Sequence, residues 1–348
     1  MIKKQFKKII KSYLDTSYHM AHKKSALKIL NNIESVKGKT DSKLLKLSDE
    51  YSMDIFGWKG YAPWLYVYSA MNDKFKEGWI PDNYYGKVVV PNLKGNYGEI
   101  ADFKSLTSRL FDSIHFPDIA YYTNGLWLSP KYQIMSDTQI IELSSSQGEK
   151  LVYKVDNSLQ GKGVYFIDRD NINIEKLKKI GNGVLQNYIK QHNFFNDIIQ
   201  NSVATLRITS VISEKGEVSV RACYLRVGRS SDTHIMSASH IRIPVSISNG
   251  YLDKFGYTTN WLQIEKHPDT DFIFENQKIP HFNKFLEAAI NLHKMVPFTR
   301  TIGWDMILDI NNNVKVMEWN GSHNDIKFSE ATQGPCFHDL GLHELWKK

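Results

Sequence analysis

The stretch that decides the fold is IGWDMILDINNNVKVMEWN, residues 302–320. Two β-rich runs flank three consecutive asparagines, which favour the tight turn of an antiparallel hairpin. If the numbers of paired residues sum to about 623, Asp305 lies opposite Glu318, with both side chains on one face of the hairpin. Successive side chains of a strand alternate between faces, so Asn320 shares that face, while the apolar residues take the other.

Two carboxylates and an amide oxygen on one face of a strand pair suit a hard cation. Mg²⁺ prefers oxygen ligands, keeps several waters and shares one or two carboxylates with nucleotide phosphates. The pattern therefore predicts a magnesium site at Asp305, Glu318 and Asn320. The alternative from this pattern alone is that both acids face water on an exposed sheet.

A second informative stretch is VYKVDNSLQGKGVYF, residues 152–166. Lys154 precedes a polar segment that ends in Gly161, Lys162 and Gly163, and glycines let backbone N–H groups come close to phosphate oxygens. The stretch has neither the Walker nor the Rossmann glycine spacing, so alone it is more typical of an ordinary hairpin. Together with the downstream acids it favours a loop that covers phosphates.

Composition limits the class of protein. The chain has 348 residues, 42% of them hydrophobic, which is enough for a large core. No run approaches the roughly 18 to 20 apolar residues of a membrane-spanning helix, and lysines interrupt the N-terminus too often for a signal peptide. The two cysteines, Cys223 and Cys336, do not indicate a disulfide framework. We expect a cytoplasmic, globular protein.

The positive charge is concentrated at the N-terminus. Residues 1–48 contain twelve lysines and three acidic residues, a net charge of +9, so the rest of the chain carries −2 of the total of +7. This distribution argues against a nucleic-acid partner. Apolar residues alternate with the lysines at helical spacing: Ile2, Phe6, Ile9, Ile10, Tyr13 and Leu14. Such a basic helix either docks on the protein with a solvated lysine face or contacts an anionic membrane or lipid carrier.

Periodicity and turn signals divide the chain into four expected parts. The first hundred residues are predominantly helical, short strands and helices alternate from Pro117, and a second strand-rich block begins at Thr205. The predicted parts are a basic helical segment (1–55), an N-terminal subdomain (56–116), a central subdomain with a mobile loop at 158–163 (117–190), and a C-terminal subdomain with the metal site (191–348).

The order of these landmarks resembles the ATP-grasp superfamily. The resemblance implies an α+β fold in which a helical N-terminal region precedes two α/β subdomains that clamp ATP between them. Lys104 in FKSLTSRLF and Lys154 look like its two phosphate lysines, and Ser158 to Gly163 looks like its mobile loop. LQNYIKQH resembles the hinge that binds adenine and ribose, with candidate residues Gln186, Asn187, Tyr188, Ile189 and His192. Asp305, Glu318 and Asn320 match the family's metal ligands.

Within the superfamily the sequence is most similar to the sugar-transfer-associated ATP-grasp proteins of bacterial surface and capsular polysaccharide biosynthesis. The motifs that carry the likeness lie between about residues 75 and 345: WIPDNYYGKVVVPNLKGN, IKQH with SVATLRITSV, LRVGR, IGWDM, and MEWNGSHND with TQGPC. There are two departures. Gln186 stands where a glutamate is common, and SSDTHIMSASH (230–240) lacks the expected Asp-Asn and paired glycines.

The resemblance implies an ATP-dependent and Mg²⁺-dependent ligase that joins a carboxylate, such as a sugar acid, to an amine through an acyl phosphate. Arg207 and Lys154 are its expected catalytic residues. Three further arginines are candidates to hold the carboxylate substrate, since a guanidinium matches a carboxylate in bidentate geometry: Arg226, Arg229 and Arg300. Two alternatives stay open, a kinase on the same fold that forms no amide, and a non-enzymatic basic protein that binds a membrane.

Overall fold

The computed structural model describes residues 2–158, 163–230 and 239–347, with side chains described from Tyr13 onward. The chain divides into two compact units. The smaller comprises Met1–Gly95, Asn260–Gln263 and Asp325–Lys348, and the larger comprises Asn96–Thr259 and Ile264–Asn324. No helix of the described residues is both long enough and apolar enough to cross a membrane.

The smaller unit is helical. Its helices are α1 (Ile2–Lys37), α2 (Ser42–Phe56), α3 (Ala62–Asn72), α4 (Asp82–Tyr84), α5 (Val90–Lys94) and α11 (Lys327–Gln333). The sequence of α3, APWLYVYSAMN, is apolar around most of its circumference, which is typical of a helix that is buried on all sides. Helix α2 has clear ends, because Asp41 caps its first turn and Gly57 adopts a left-handed conformation after its last residue.

The larger unit contains the remaining helices, which are α6 (Thr107–Phe111), α7 (Asp137–Ser145), α8 (Ile174–Ile180), α9 (Asn193–Ile198) and α10 (Phe282–Met295). The strands of the chain are β1 (Asp118–Thr123), β2 (Leu126–Leu128), β3 (Ile134–Met135), β4 (Lys150–Val155), β5 (Val164–Asp168), β6 (Gly183–Asn187), β7 (Thr205–Ile212), β8 (Val218–Val227), β9 (Ile241–Pro244), β10 (Gly256–Tyr257), β11 (Gln263–Ile264), β12 (Thr301–Leu308) and β13 (Val314–Asn320).

Within the described residues these strands form two sheets. The first has the order β3-β2-β1-β6-β4-β5, and the second has the order β11-β10-β9-β8-β7-β12-β13. In the first sheet Leu151, Tyr153 and Leu185 enter an apolar cluster with α7 and α8. Side chains of a strand alternate between faces, so Lys154 and Gln186 lie on the opposite face of that sheet.

The second sheet has one face covered by α10. Residues such as Ile208, Leu225 and Trp304 lie in the large apolar core of this unit, together with Phe285 and Leu292 of α10. Alternation along the same strands directs a set of charged residues to the other face. The sheet thus separates the hydrophobic core from a polar surface on which several strands present charged side chains side by side.

These elements confirm the predicted α+β class, with an N-terminal helical region and two sheets. The strands expected from the alternating runs all form, but the sequence interpretation missed four short strands, β2, β3, β10 and β11. Three of them have only two residues, too few to show a period-2 pattern. The stretch at Phe103 is a 3₁₀ turn at Lys104–Leu106 followed by α6. The four-part domain division stays a prediction.

Candidate active site

The hairpin of β12 and β13 pairs as the sequence predicts. Asp305 lies opposite Glu318, and Gly303 lies opposite Asn320. The register shifts by one residue immediately after Asp305, where Met306 pairs with Val316. Because the shift comes after the functional pair, both carboxylates and the Asn320 amide stay on one face of the hairpin.

Asp305 is held by two arginines from neighbouring strands. Arg207, directly opposite on β7, donates from Nε to Oδ1 at 2.6 Å and from Nη2 to Oδ2 at 3.0 Å. Arg226 of β8 donates from Nη2 to Oδ2 at 2.9 Å. Burial alone would raise the pKa of Asp305, but the two guanidiniums outweigh it and hold the pKa below its ordinary value. The carboxylate is therefore ionised at neutral pH.

Gly303 leaves room for this arrangement. A Cβ atom at this position would lie 2.9 Å from the Cβ of Asn324 and 3.4 Å from the Cδ of Arg207. A side chain here would thus displace either Asn324 or the Arg207 stem that reaches Asp305. The glycine of the IGWD motif is explained by close packing rather than by an unusual backbone conformation.

The residues predicted to bind the metal suit a hard cation in their chemistry. Glu318 is half-exposed, and its Oε1 lies 3.9 Å from the Lys104 Nζ. Asn320 uses its Nδ2 to donate to the Gly303 carbonyl, which leaves its Oδ1 as an oxygen ligand. A cation would have to share Asp305 with the two arginines. Among the residues that the structure describes, no group of three His, Cys, Asp or Glu side chains is arranged to hold a metal, so a site here depends on the Asn320 amide.

Both predicted phosphate lysines lie next to Glu318. Lys154 is buried on β4 and donates to the carbonyl of Met317, the residue before Glu318, at 2.9 Å. Burial lowers the pKa of Lys154, and the negative charges of Glu318 and Asp118 offset part of this effect. The Lys104 Nζ approaches the Ser158 carbonyl at 3.4 Å. The structure therefore brings together residues 104, 154 and 318, which are far apart in the sequence.

The glycine-rich loop connects the two strands of the β4–β5 hairpin. Lys154 pairs with Val164, and the Val155 amide donates to the Gly163 carbonyl at the neck of the loop. Ser158 turns back and donates its hydroxyl to the Val155 carbonyl at 2.6 Å. A Cβ at Gly163 would lie 2.5 Å from the Ser158 Cβ, so the neck requires glycine here.

The predicted phosphate contacts of Gly161 and Lys162 lie outside the described residues, as does most of the SSDTHIMSASH segment. The same holds for the side chains of Ile2, Phe6, Ile9 and Ile10.

A buried carboxylate at the neck of the loop forms hydrogen bonds with the segment that carries Lys104. Asp156 accepts hydrogen bonds from the Ser105 amide at 3.2 Å and from its hydroxyl at 2.9 Å. One residue further, the Asn157 amide donates to the Asp102 carbonyl at 2.8 Å. Burial raises the pKa of Asp156, and the two bonds from Ser105 counteract it.

The predicted hinge continues β6 toward the second sheet. The side-chain amide of Gln186 donates from Nε2 to the Oδ1 of Asp118 at 2.7 Å. Burial raises the pKa of the Asp118 carboxyl. The Asn187 and Tyr188 backbone amides donate to Pro117 and Lys150.

Beyond β6 the hinge leads into the second sheet. Ile189 is buried in the core cluster of that sheet. The amide of His192 donates to the Leu308 carbonyl at the end of β12, and its Nδ1 accepts from the Phe194 amide as the cap of α9.

Two of the three arginines predicted to bind substrate lie apart from this cluster. Arg229 forms a bidentate pair with Asp269, at 2.8 and 2.6 Å, and this pair holds the pKa of Asp269 well below its usual range. Arg300 precedes β12 and donates to the Ile212 carbonyl at 3.3 Å. Of the three, Arg226 alone has a described hydrogen bond to Asp305.

Three side chains around the site were not singled out from the sequence: Asp118, Asp156 and Arg242. Each stands at the end of a strand or among β-branched residues, where a charged side chain interrupts an apolar run. The sequence around Arg242 does indicate an unusual position, because in IRIPVSI the arginine stands between two isoleucines. Side chains alternate between the faces of a strand, so the isoleucines enter the core and the arginine lies on the opposite face.

A sequence profile shows that the chain is of the ATP-grasp class. The sequence profile described as sugar-transfer associated ATP-grasp matches residues 92–340. The chain belongs to this family, which confirms the resemblance seen in the motifs. Among curated proteins, none matches the chain in sequence.

The solved structures that the chain matches share little sequence with it. The biotin carboxylase domain of Hydrogenobacter thermophilus 2-oxoglutarate carboxylase, with MgADP, ADP and bicarbonate, matches 70% of this chain and 46% of its own, at 10% identity and a TM-score of 0.42. N5-carboxyaminoimidazole ribonucleotide synthetase from Thermotoga maritima matches 67% and 48%, at 13% identity and 0.36. The ATP-grasp ligase PsnB, with a precursor variant, Mg and ADP, matches 72% and 61%, at 11% identity and 0.42. The matched region is less than two thirds of each of these structures.

Proposed function

We propose that the protein is an ATP-dependent ligase that joins a carboxylate to an amine through an acyl phosphate, with ATP and Mg²⁺. The observation that carries the proposal is the convergence of four cationic side chains on the β12–β13 hairpin: Lys104, Lys154, Arg207 and Arg226. They come from four separate segments of the chain and lie around the carboxylates Asp305 and Glu318, with Asp118 near Lys154. Such a cluster of cations beside oxygen ligands for a metal suits a nucleotide triphosphate bound with Mg²⁺.

The first chemical step would join two anions. A carboxylate oxygen of the substrate attacks the γ-phosphorus of ATP, the bond to the β–γ bridging oxygen breaks, and ADP leaves. Lys104, Lys154 and Arg207 would neutralise the charge that gathers on the transferred phosphoryl oxygens, and such preorganised electrostatics usually contributes more to catalysis than any other single effect. Mg²⁺ held by Asp305, Glu318 and Asn320 would add Lewis-acid stabilisation to the same oxygens.

The second step would form the amide. The amine nitrogen attacks the acyl carbon, the carbon–oxygen bond to phosphate breaks, and the nitrogen loses a proton. Water competes with the amine for the acyl phosphate, so the site has to exclude it. The loop at 158–163 is the candidate cover, since its neck is fixed by Ser158 and Gly163 beside Lys154.

The family supports a role in sugar transfer, and a sugar acid such as a uronate is the proposed carboxylate substrate. We place the reaction in bacterial surface or capsular polysaccharide synthesis in the cytoplasm. The sugar acid would be attached either to a nucleotide or to a lipid. In both cases the site would have to recognise the same acidic sugar.

The deciding experiment is ADP release by the purified protein, with nucleotide-linked uronic acids tested against amino acids and other amines. A ligase releases ADP only when acid and amine are both present and yields an amide product. ADP release that needs the acid alone, with a stable phosphorylated product, would instead indicate the kinase alternative. If no acid raises ADP release above the rate with ATP alone, the ligase proposal is contradicted for the acids tested.

We further propose that α1 contacts an anionic membrane surface. Its exposed side carries Tyr13, Leu14 and Met20 together with Lys24 and Lys28. Apolar residues with lysines on the exposed face of a helix favour binding to anionic lipid. Deletion of residues 1–14 is expected to lower co-sedimentation with anionic vesicles and to leave nucleotide binding intact, and unchanged sedimentation would contradict the membrane proposal.

A further inference from the structure

Tyr132 lies in the turn between β2 and β3, and its backbone is in the left-handed region, with a φ of 62°. Turns usually have glycine or asparagine at such a position, because a side chain as large as that of tyrosine is strained there. Two backbone hydrogen bonds between Ser129 and residues 132 and 133 close the turn. Glycine would satisfy the same turn at lower cost, so the tyrosine side chain needs another explanation.

The Tyr132 side chain contacts the 3₁₀ turn that carries Lys104. Its hydroxyl donates to the carbonyl of Ser105, the residue after Lys104. The amide and the hydroxyl of Ser105 both donate to Asp156. All three polar groups of Ser105 therefore have partners in distant segments of the chain, and Tyr132 binds the carbonyl.

The segment around Lys104 depends on such contacts for its position. The 3₁₀ turn has three residues and α6, which follows it, has five. Helical segments this short are unstable by themselves in water, so tertiary contacts fix their position. The Lys104 Nζ lies 3.4 Å from the Ser158 carbonyl and 3.9 Å from a carboxylate oxygen of Glu318. A shift of the segment would therefore move the Lys104 ammonium group within the candidate site.

The ring of Tyr132 rests on the first sheet. It stacks on the ring of Tyr121 of β1, with the two centroids 5.5 Å apart, and the Arg109 guanidinium lies 4.4 Å from its centroid. Tyr121 pairs with Val184 of β6, which pairs with Lys154 of β4. Since paired residues share a face, Tyr121 and Lys154 lie on one face of the sheet, about 10 Å apart at the backbone.

We propose that Tyr132 is a positioning residue that holds Lys104 at a fixed distance from Lys154. Its hydroxyl binds the segment that carries Lys104, and its ring rests on the sheet that carries Lys154. Both lysines would contact phosphates of one nucleotide, so their separation determines how well they bind it together. The inference rests on the proposed function, because it takes both lysines as phosphate ligands.

The variant Y132F tests the inference, because it removes the hydroxyl and keeps the ring on Tyr121. We would measure its affinity for a non-hydrolysable ATP analogue with Mg²⁺ by calorimetry of the full-length protein. Loss of the hydrogen bond to Ser105 should weaken binding about 3- to 10-fold. Y122F is the matched control and should bind as the wild type does, since Tyr122 packs against the apolar cluster of the first sheet.

A double-variant cycle shows whether Tyr132 acts through Lys104. Lys104→Ala alone should weaken binding about 10- to 100-fold, because it removes a charged partner of the phosphates. Adding Y132F to Lys104→Ala should then change the affinity by less than about twofold. Y132G removes the ring as well as the hydroxyl, so it should bind the analogue more weakly than Y132F, although glycine suits the left-handed backbone.

Thermal unfolding of each variant shows whether it folds. Wild-type affinity in folded Y132F or in Lys104→Ala would overturn the inference. So would an equal effect of Y132F in the wild-type and Lys104→Ala backgrounds, because Tyr132 would then act independently of Lys104. If Lys104→Ala binds too weakly for the cycle, the difference between Y132F and Y122F decides the question.

These outcomes are separate from failure of the proposed function, which is read from amine-dependent ADP release. A protein that binds the nucleotide but forms no amide would fail that assay and would still show weaker nucleotide binding in Y132F. A ligase in which Y132F binds the nucleotide as the wild type does would pass that assay and fail this one.

Discussion

Asp305 and Glu318 lie directly opposite each other on β12 and β13, but their surroundings differ. Asp305 is buried and bound by two guanidiniums, whereas Glu318 is half-exposed and has an ammonium group 3.9 Å away. The structure therefore places two facing carboxylates in different environments. In the proposed function, Asp305 would orient the two arginines, and Glu318 would be the more accessible ligand for a cation.

Glu318→Ala and Lys154→Ala should each abolish ADP formation in a folded protein. Loss of a preorganised electrostatic group typically lowers kcat about 100- to 1,000-fold. Lys150→Ala, a change to an exposed lysine on the same strand as Lys154, is the matched control and should retain activity. Turnover like that of the wild type in either site variant would falsify the assignment.

Arg207→Gln should destabilise the protein by roughly 3 kcal/mol, because it removes one partner of a buried ion pair. The interaction depresses the pKa of Asp305 from its ordinary 3.8. Its contribution is therefore present above pH 3.8 and is lost as the pH falls through the lower, folded-state pKa. The gap in unfolding free energy between wild type and variant should narrow below about pH 4.

A surface pair provides the control for that experiment. Arg169 pairs with Asp170, whose side chain is 82% exposed. Arg169→Gln should change stability by less than about 1 kcal/mol. If Arg207→Gln costs no more than this, the buried pair with Asp305 does not stabilise the fold.

The sequence predicted the core of the candidate site because its strongest signals are local. A hairpin with an asparagine turn fixes its own register, so the opposition of Asp305 and Glu318 followed from counting residues. The long, alternating strands and the amphipathic helix α10 were predictable for the same reason.

What the sequence did not predict depends on contacts between distant residues. Arg226 and Arg242 belong to separate strands, and their opposition requires the register of β8 and β9. The connection of Asp156 to Ser105 joins a loop neck to a 3₁₀ turn some 50 residues earlier. No local pattern encodes either contact, because both arise only when the sheets assemble.

Glu330 should make the stability of the helical unit depend on pH. Burial raises the pKa of its carboxyl from 4.5 to about 8, although it accepts hydrogen bonds from the Ile80 and Cys336 amides. A raised carboxyl pKa means that the folded state holds the proton more strongly, so its stability falls as the pH rises from 4.5 to 8. The slope is at most about 1.4 kcal/mol per pH unit.

Glu330→Gln lacks this titration and should show a flatter dependence in thermal unfolding measured between about pH 5 and 8. Glu77→Gln, at an exposed position, should keep the wild-type slope. Equal slopes in wild type and Glu330→Gln would show that the buried carboxyl does not titrate in this range.

Charge reversal on α1 tests the proposed membrane contact without shortening the chain. The double variant Lys24→Glu/Lys28→Glu should co-sediment less with phosphatidylserine vesicles, since each lysine near such a surface contributes about 1 kcal/mol. Lys43→Glu/Lys46→Glu changes the charge by the same amount at exposed positions on α2. Equal loss in both variants would point to overall charge rather than to the α1 face.

Ser105→Ala should weaken the connection between the loop neck and the Lys104 segment. The change removes a 2.9 Å hydrogen bond to the buried Asp156 carboxylate, which should cost about 1 to 3 kcal/mol and raise the KM for ATP because Lys104 is the adjacent residue. Ser108→Ala removes a bond to the Pro130 carbonyl at an exposed position and is the control. A Ser105→Ala protein with lower thermal stability but unchanged KM would assign Asp156 a purely structural role, whereas a raised KM beyond that of Ser108→Ala supports positioning of Lys104.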